Sequence, residues 1–297
     1  MSLKKKHQNL ARLVGSTPLV KISDRVYGKL ETYNPSGSVK DRMISFLLND
    51  AIKSGALTSE SCLVEATSGN TGIALSMFGA ALGLKVLIIM PSNMSEERRQ
   101  MMRAYGAEII DVPPSDFKAA IELRGEICKS NINAWSPMQF ENSRNIDCHR
   151  LVTGPEIYAQ VSQLGDWAGF VSGAGTGGTL SGVGMFIEEN NLSTKKILMI
   201  PSEDSKSHGI QGVNDGEDFL LDKGLVDVQL KIATKDAIQR SKKLSRELGL
   251  LVGISSGANV LAAEKFVRGS DPSGIVVTML CDRGERYMSI FTKDESV

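Results

Sequence analysis

Short apolar runs rich in valine and isoleucine alternate along this chain with longer segments whose apolar residues recur at helical spacing. Clusters of glycine, serine and threonine often stand where an apolar run gives way to a helical segment. This alternation is typical of parallel βαβ units, in which each strand leads through a short loop into a helix. It predicts an α/β fold with parallel-rich sheets.

Three series of elements follow from this pattern. The first predicts strands over residues 61–66, 85–90 and 108–112, with helices over 73–82 and from about 95 to 106. The second predicts a strand over 168–172, a helix near Met185 and a strand over 196–200. The third predicts a strand over 250–252, a helix over 258–267 and a strand over 275–281. We assign the first series to one lobe and the other two to a second lobe.

The length of 297 residues favours two lobes over a single compact domain. Residues 134–155, which contain two prolines and many polar side chains, are predicted to cross between the lobes. In open α/β sheets, ligands bind at the carboxyl ends of the strands. The strand-to-helix loops at 67–72, 173–179 and 253–257 are therefore expected to face a ligand.

The charge balance indicates a small-molecule partner. Lysine and arginine together number 34, as do aspartate and glutamate, so there is no net field to attract nucleic acid or an anionic membrane. No segment approaches the 18 apolar residues of a membrane span, and polar residues 7–9 follow the lysines at 4–6. We therefore expect a cytoplasmic protein. Four dispersed cysteines without a CxxC pair predict neither a metal site nor a disulfide framework.

A glycine-rich loop at 173–179 follows a predicted strand and opens a helix. Its backbone N–H groups and the helix dipole are suited to a phosphate, and Thr176 and Thr179 add hydroxyl donors. The same letters satisfy GxGxxG, and Glu203 follows the next strand, so a dinucleotide site remains open at this point. A purely structural glycine turn is a further alternative.

Lys40 stands at the start of a second candidate segment, residues 34–42. Ser38 is predicted to cap a helix that ends at Gly55, which places Lys40 in the first helical turn. The positive end of a helix dipole is unfavourable for a structural cation and favourable for a lysine that must give up its charge. On this position alone, a solvated surface lysine remains the commoner interpretation.

Four stretches in the chain are together similar to the cysteine synthase family of fold-type II pyridoxal-phosphate enzymes. They are residues 34–42 (NPSGSVKDR), 65–72 (EATSGNTG), 175–179 (GTGGT) and 253–257 (GISSG). The similarity extends over nearly the whole chain, and four motifs in the right order are more specific than any one. The KDR of 40–42 and the CDRGER of 281–286 resemble the cysteine synthase B branch, whereas the phosphate loop resembles the A branch.

The resemblance implies a fold like that of the tryptophan synthase β subunit, with pyridoxal 5′-phosphate between two domains. The implied domains are residues 36–142, smaller and mobile, and residues 1–35 with 143–297, larger and cofactor-binding. It also implies a homodimer. Lys40 would carry the cofactor and then act as the base that removes the α-proton of the substrate.

Further site residues are implied by the same resemblance. The cofactor phosphate would rest on Gly175, Thr176, Gly177, Gly178 and Thr179. Asn70 would bond the 3′-oxygen of the cofactor ring, and Ser255 its pyridine nitrogen. The substrate carboxylate would be held by Thr67, Ser68, Thr71 and Gln139. A neutral hydroxyl at the pyridine nitrogen suits β-elimination better than transamination, because it does not enforce ring protonation.

The implied reaction is replacement at the β-carbon of an O-activated L-serine, with O-acetyl-L-serine expected, by sulfide or another thiol through an α-aminoacrylate intermediate. Alternatives within the family are a cystathionine β-synthase, a cysteine synthase that uses O-phosphoserine or thiosulfate, and a serine or threonine dehydratase. A Rossmann dehydrogenase would leave Lys40 and the Asn70 loop without a purpose. A binding homologue without activity is a further alternative, against which the intact lysine argues.

The segment before His208 departs from the family pattern. Residues 202–207 form a shorter loop than is usual there, and Asp215 interrupts the glycine pattern that follows. This loop faces the substrate in relatives, so the leaving group and the nucleophile remain open. His208 is interpreted either as a substrate contact or as a surface histidine.

Overall fold

A computed structural model describes residues 2–204, 209–213 and 219–292. The chain divides into two compact units. One contains the described residues up to 15 together with 34–142, and the other contains 16–33 together with the described residues from 143 onward. Residues 2–15, 34 and 35 thus belong with the first unit, whereas the sequence analysis grouped them with the second.

The helices and strands are numbered in chain order. The helices are α1 (Leu3–Ala11), α2 (Lys40–Ser54), α3 (Asn70–Leu82), α4 (Glu96–Ala104), α5 (Phe117–Ser130), α6 (Arg144–Cys148), α7 (Gly154–Val161), α8 (Gly178–Glu189), α9 (Thr234–Leu248), α10 (Ile254–Ser270) and α11 (Met288–Phe291). The strands are β1 (Leu19–Lys21), β2 (Val26–Leu30), β3 (Cys62–Ala66), β4 (Lys85–Pro91), β5 (Glu108–Val112), β6 (Ala134–Trp135), β7 (Trp167–Gly173), β8 (Lys195–Pro201), β9 (Val228–Ile232) and β10 (Ile275–Leu280). A π-helical turn, His149–Thr153, joins α6 to α7.

The first unit is built on a four-stranded parallel sheet in the order β5-β4-β3-β6. Because successive side chains of a strand point to opposite faces, β3 and β4 each contribute to two cores. Leu63 and Ile88 join the larger core with α2 and α3, and Val64 and Ile89 join a smaller core with α5. Burial on both faces explains why these strands are predominantly apolar in the sequence.

Helix α1 explains why the chain's first residues belong to the first unit. Leu3 and Leu10 pack against the core formed by α2 and α3. His7 of α1 is buried, and its Nε2 lies 3.0 Å from the carbonyl oxygen of Ser45 in α2. This burial of apolar surface and one polar contact hold the segment in that unit.

The second unit is built on a six-stranded sheet in the order β1-β2-β10-β7-β8-β9. β1 runs antiparallel to β2, and the remaining neighbours are parallel. Val277 of β10 pairs with Tyr27 on one side and Phe170 on the other. The buried core between this sheet, α9 and α10 includes Val171 and Val276. The predicted α/β fold with parallel-rich sheets is confirmed.

The predicted strand over residues 250–252 is wrong. Val252 forms an isolated antiparallel bridge with Arg283. The N–H of Gly253 donates to the carbonyl of Asp282, and the N–H of Gly284 donates to the carbonyl of Leu251. The apolar run therefore pairs with the turn that follows β10, and it does not extend a sheet. Across the described ranges, we find no helix with the length and apolar character that a membrane crossing requires.

Candidate active site

Lys40 is the first residue of α2 and is half-buried. Val39 occupies the N-cap position, which the sequence analysis had assigned to Ser38, but the Ser38 hydroxyl accepts a hydrogen bond from the Lys40 N–H at 3.3 Å. The Asp41 carboxylate accepts hydrogen bonds from the backbone N–H and the hydroxyl of Ser36. These contacts fix the turn before α2. They hold Lys40 at the positive end of the helix dipole.

The loop at 67–69 leads from β3 into α3. The helix begins at Asn70, three residues earlier than predicted, so Asn70 and Thr71 lie in its first turn. Gly69 has φ of +156°, and a Cβ there would lie 2.4 Å from Cδ of Arg98. Buried Arg98 donates from Nη1 to the carbonyl of Ser68 at 3.2 Å. Arg98 was not identified from the sequence, and it supports the backbone of the predicted substrate loop.

Thr71 and Gln139, which were predicted to bind the same substrate group, lie in contact. The Thr71 hydroxyl donates to Oε1 of Gln139 at 2.6 Å, and Nε2 of Gln139 donates to the carbonyl of Ala66 at 3.0 Å. Both side chains are buried. The Thr67 hydroxyl accepts from the N–H of Gly69 at 3.1 Å. The structure therefore brings polar groups from the ends of β3 and β6 into one hydrogen-bonded cluster.

Glu65 of β3 contacts this cluster through Ala66 and Gln139. It was not identified as a site residue from the sequence. Its Oε1 accepts from the N–H of Ala66 at 2.8 Å, and its Oε2 accepts from the N–H of Gln139 at 3.1 Å. Nη1 of Arg124 lies 3.8 Å from Oε1. Burial raises the pKa of the Glu65 carboxyl to about 7, because loss of hydration of the charged form outweighs the attraction of Arg124 and the two N–H groups.

This shift gives a pH dependence of stability. As the pH rises from 4.5 toward 7, the unfolded chain ionises Glu65 while the folded chain keeps its proton, so the free energy of unfolding falls. The contribution is fully present below the unfolded value and amounts to about 3 kcal/mol. Urea unfolding of the wild type and of Glu65→Gln isolates it, because an amide does not titrate. A stability difference that stays constant over this pH range would contradict the expectation.

In the second unit, the predicted phosphate loop lies between β7 and α8. The helix begins at Gly178, seven residues before the predicted position near Met185. Gly177 has φ of +88°, and a Cβ there would lie 2.3 Å from the backbone nitrogen of Leu221. A Cβ on Gly175 would lie 2.4 Å from the carbonyl oxygen of Gly212. Glycine is required at both positions by close approach of the backbone, and at Gly177 also by its conformation.

The two threonine hydroxyls of this loop are oriented by neighbouring side chains. Thr176 Oγ1 accepts from Nδ2 of Asn145 at 3.0 Å and from the N–H of Gly178 at 3.3 Å. Since both lone pairs of the oxygen then have donors, its own proton can donate to another acceptor. Thr179 Oγ1 lies 3.2 Å from Nε2 of His149.

Asn145 and His149 are buried residues of α6 and the π-helical turn, a segment that the sequence analysis treated as a crossing. Nδ1 of His149 lies 2.9 Å from the hydroxyl of Thr153. The first turn of α8 contains no acidic side chain. N–H groups at a helix start together with oriented hydroxyls form a donor set that fits a phosphate monoester.

Ser255 lies in the first turn of α10, which begins at Ile254, four residues before the predicted start. It is buried. The neighbouring Ser256 hydroxyl accepts from the N–H of Cys281 at 2.9 Å, a contact that ties α10 to the end of β10. The two adjacent serines thus have different roles. Ser256 has a structural hydrogen bond, and Ser255 remains the residue predicted to contact the cofactor.

Other expectations concern cysteines, metals and the segment around His208. His208 and Asp215 lie outside the described residues. Cys148 is buried, and Cys62, Cys128 and Cys281 are half-buried free thiols. Within the described part of the chain, no group of three or more His, Cys, Asp or Glu side chains is arranged to hold a metal ion.

Comparison with known proteins identifies the family. Residues 10–282 match the family described as pyridoxal-phosphate dependent enzyme. A probable cysteine synthase from Bacillus subtilis is 38% identical, over 95% of this chain and 96% of its own length. Cysteine synthase B from Campylobacter jejuni is also 38% identical, over 96% and 98%. A hydrogen sulfide-producing enzyme from Fusobacterium nucleatum superposes with a TM-score of 0.91 at 36% identity, covering 99% of this chain and 94% of that one.

The chain therefore belongs to the cysteine synthase family of pyridoxal-phosphate-dependent enzymes. It is an enzyme whose cofactor is pyridoxal 5′-phosphate, as the sequence analysis predicted. A dinucleotide-binding role for the glycine loop is thereby set aside.

Proposed function

We propose that this enzyme converts O-acetyl-L-serine and sulfide into L-cysteine and acetate. The bond from the β-carbon to the acetoxy oxygen breaks, a bond from the β-carbon to sulfur forms, and the carbon skeleton is retained. The observation that carries the proposal is the similarity to curated cysteine synthases over nearly the entire chain. Bound pyridoxal phosphate supplies an electron sink for the charge that develops at the α-carbon.

In this proposal, the ε-amine of Lys40 first holds the cofactor covalently and then takes the α-proton of the bound amino acid. An amine held beside that proton needs no diffusional encounter, which lowers the entropic part of the barrier. The fixed turn before α2, with Ser36 bonded to Asp41, supports this assignment because it leaves the start of the lysine side chain little freedom. The same proton is available for return when sulfur has added.

The substrate carboxylate is proposed to bind at the loop between β3 and α3. Thr67, Ser68, Thr71 and Gln139 would donate to it through backbone N–H groups and side chains. Because the Thr71 hydroxyl proton is held by Gln139, Thr71 would donate through its backbone N–H. The contact between Thr71 and Gln139 supports a shared role. Asn70, in the first turn of α3, is proposed to donate to the 3′-oxygen of the cofactor ring.

The cofactor phosphate is proposed to bind the loop formed by Gly175, Thr176, Gly177, Gly178 and Thr179. The hydroxyl orientations set by Asn145 and His149 support this assignment, as does the absence of acidic residues from the first turn of α8. Ser255 is proposed to meet the pyridine nitrogen as a neutral partner, which restrains the electron sink and favours departure of the β-substituent.

Substrate specificity is tested by a matrix of reactions with the purified holoenzyme. O-acetylserine, O-phosphoserine and serine are each combined with sulfide, thiosulfate and homocysteine, and amino-acid products are quantified by chromatography. We expect the largest kcat/KM for O-acetylserine with sulfide. Preference for homocysteine would assign a cystathionine β-synthase, and pyruvate formation without a thiol would assign a dehydratase. Protein that stays colourless after addition of pyridoxal phosphate would remove the proposal.

A homodimer is proposed as the assembly. Leu151 is 52% exposed, and the nearby Val152 and Tyr158 are each 40% exposed, so apolar side chains face outward from the turn before α7 and from α7 itself. Such a cluster supports an interface between copies. Light scattering of the holoenzyme is expected to give twice the chain mass of 32.1 kDa, and a value of one chain mass would refute the dimer. A cytoplasmic location is also proposed, because the four free thiols suit a reducing compartment.

A further inference from the structure

The segment that carries Gln139 leaves regular structure just before that residue. β6 ends at Trp135, and Met138 has φ of +52°, a left-handed conformation that is uncommon for a residue with a side chain. The carbonyl of Met138 accepts from the N–H groups of Glu141 and Asn142, which closes a turn. The N–H of Gln139 donates to a side chain from another segment, the Glu65 carboxylate, at 3.1 Å.

The carboxylate of Glu65 receives this N–H. Glu65 is fully buried at the end of β3, and its two oxygens accept from the N–H groups of Ala66 and Gln139. These residues are 74 positions apart in the sequence, so the contact joins two separate segments. We propose that Glu65 is a positioning residue that anchors the backbone of Gln139, so that the Gln139 and Thr71 side chains are preorganised for the carboxylate of the amino-acid substrate.

Arg124 supplies positive charge that partly compensates the buried Glu65 carboxylate. The arginine side chain is 5% exposed, its Nη2 donates to Glu141 at 2.7 Å, and its Nη1 lies 3.8 Å from Glu65. Ionising a buried carboxylate costs several kcal/mol unless a partner compensates. α5 thus supplies the countercharge from the side of β3 that holds the smaller core. Removal of Arg124 would leave the Glu65 carboxylate without a countercharge, whereas removal of Glu65 would leave Arg124 paired with Glu141.

Gln139 connects Glu65 to the proposed substrate loop, which leads from β3 into α3. With its backbone fixed, the Gln139 side chain donates to Ala66 and accepts from Thr71. Thr71 is in the first turn of α3, next to Asn70. A donor set that is held before the ligand arrives binds more tightly, because less freedom is lost on binding. The inference rests on the proposed function, and it concerns substrate affinity and leaves the proton transfer at Lys40 unaffected.

Glu65→Gln tests the anchor in the holoenzyme. The amide keeps the shape of the side chain, but it has one acceptor oxygen where the carboxylate has two, so one of the two N–H groups loses its partner. In assays above pH 7, where the Glu65 carboxyl is ionised, we expect KM for O-acetylserine to rise about tenfold, as the loss of a hydrogen bond to a charged group implies. kcat and KM for sulfide should stay within about twofold. Glu96→Gln, which removes an exposed carboxylate paired with Arg103, is the matched control.

A second readout does not depend on turnover. Hydrogen exchange of the peptide spanning residues 136–142 should be faster in Glu65→Gln than in the wild type, and unchanged in Glu96→Gln. Should the glutamine variant fail to fold, Glu65→Asp keeps the charge but shortens the side chain by one methylene, which draws the carboxylate away from the N–H of Gln139, and the same rise in KM and the same faster exchange are expected.

The outcomes separate the anchor from a general structural role and from the proposed reaction. Lower stability with unchanged KM would leave Glu65 as a structural acid and overturn the inference. A fall in kcat at constant KM would overturn it as well. Wild-type enzyme that turns over no substrate pair would remove the proposed function, whereas unchanged exchange at residues 136–142 would remove the anchor independently.

Discussion

We expect Lys40→Ala to lose β-replacement activity by at least about 10³-fold, since a positioned base contributes about 10² to 10⁴ and covalent attachment of the cofactor is lost as well. The phosphate loop lies in the other unit and is unchanged in this variant. The protein should therefore retain pyridoxal phosphate noncovalently while losing the absorbance of the lysine-bound form. Steady-state assays and absorption spectra measure the two effects separately.

The matched control for this variant is Lys53→Ala. Lys53 is an exposed lysine in the last turn of the same helix, so its removal changes the helix by an equal amount without reaching the proposed chemistry. Its activity should remain near the wild-type value. If Lys40→Ala turned over O-acetylserine and sulfide at a substantial fraction of the wild-type rate, the assignment of the base would be wrong.

The second large effect is expected for Gly177→Ala. A left-handed conformation costs an alanine about 1–2 kcal/mol. The added Cβ would also lie 2.3 Å from the backbone nitrogen of Leu221, which no side-chain rotation can relieve. Overpacking of this kind adds about 1–3 kcal/mol. We expect the loop to shift, the free energy of unfolding to fall by about 3 kcal/mol, and cofactor affinity to fall at least about tenfold.

Gly184→Ala provides the comparison within the same helix. A Cβ at Gly184 would meet neighbours at 3.4 Å and beyond, which is ordinary van der Waals contact. In a helix interior this substitution stabilises by about 1 kcal/mol. Chemical unfolding should thus give a lower free energy of unfolding for Gly177→Ala and a higher one for Gly184→Ala. Fluorescence titration should show weaker binding of pyridoxal phosphate for Gly177→Ala only. Equal behaviour would show that the loop geometry at Gly177 does not control cofactor binding.

The central strands β3, β4, β7, β8 and β10 were predictable because most of their side chains are buried on both faces of the sheet. β5 agrees with its predicted bounds, β4 extends one residue beyond its predicted end, and β8 extends one residue beyond its predicted bounds at each end. The helix starts were placed three to seven residues late at α3, α8 and α10. Their first turns are rich in glycine, serine and threonine, which have low helix propensity and no apolar periodicity. Tertiary contacts, such as those that enclose Gly177, decide where these helices begin.

The residues of the candidate site also differ in how far the sequence predicts them. Residues with a local motif, such as Lys40 and Asn70, could be proposed from the sequence. Glu65 gives only a weak signal in the sequence, a charged residue inside an apolar strand. His149 gave none, because its contact with Thr179 joins positions 30 apart in a segment without regular pattern. The supporting contacts are long-range, and a single sequence does not contain the distance between their partners.

The strand order also has a consequence for synthesis of the protein on the ribosome. The first unit contains its full sheet once residue 135 has emerged, since β6 is the last of its four strands. β2 in the second unit lies beside β10, so it has no parallel neighbour until residues 275–280 have been made. Non-local pairings of this kind form late and slowly. The proposed substrate loop can therefore fold during translation, whereas the sheet that supports the phosphate loop is completed only when nearly all of the chain has left the ribosome.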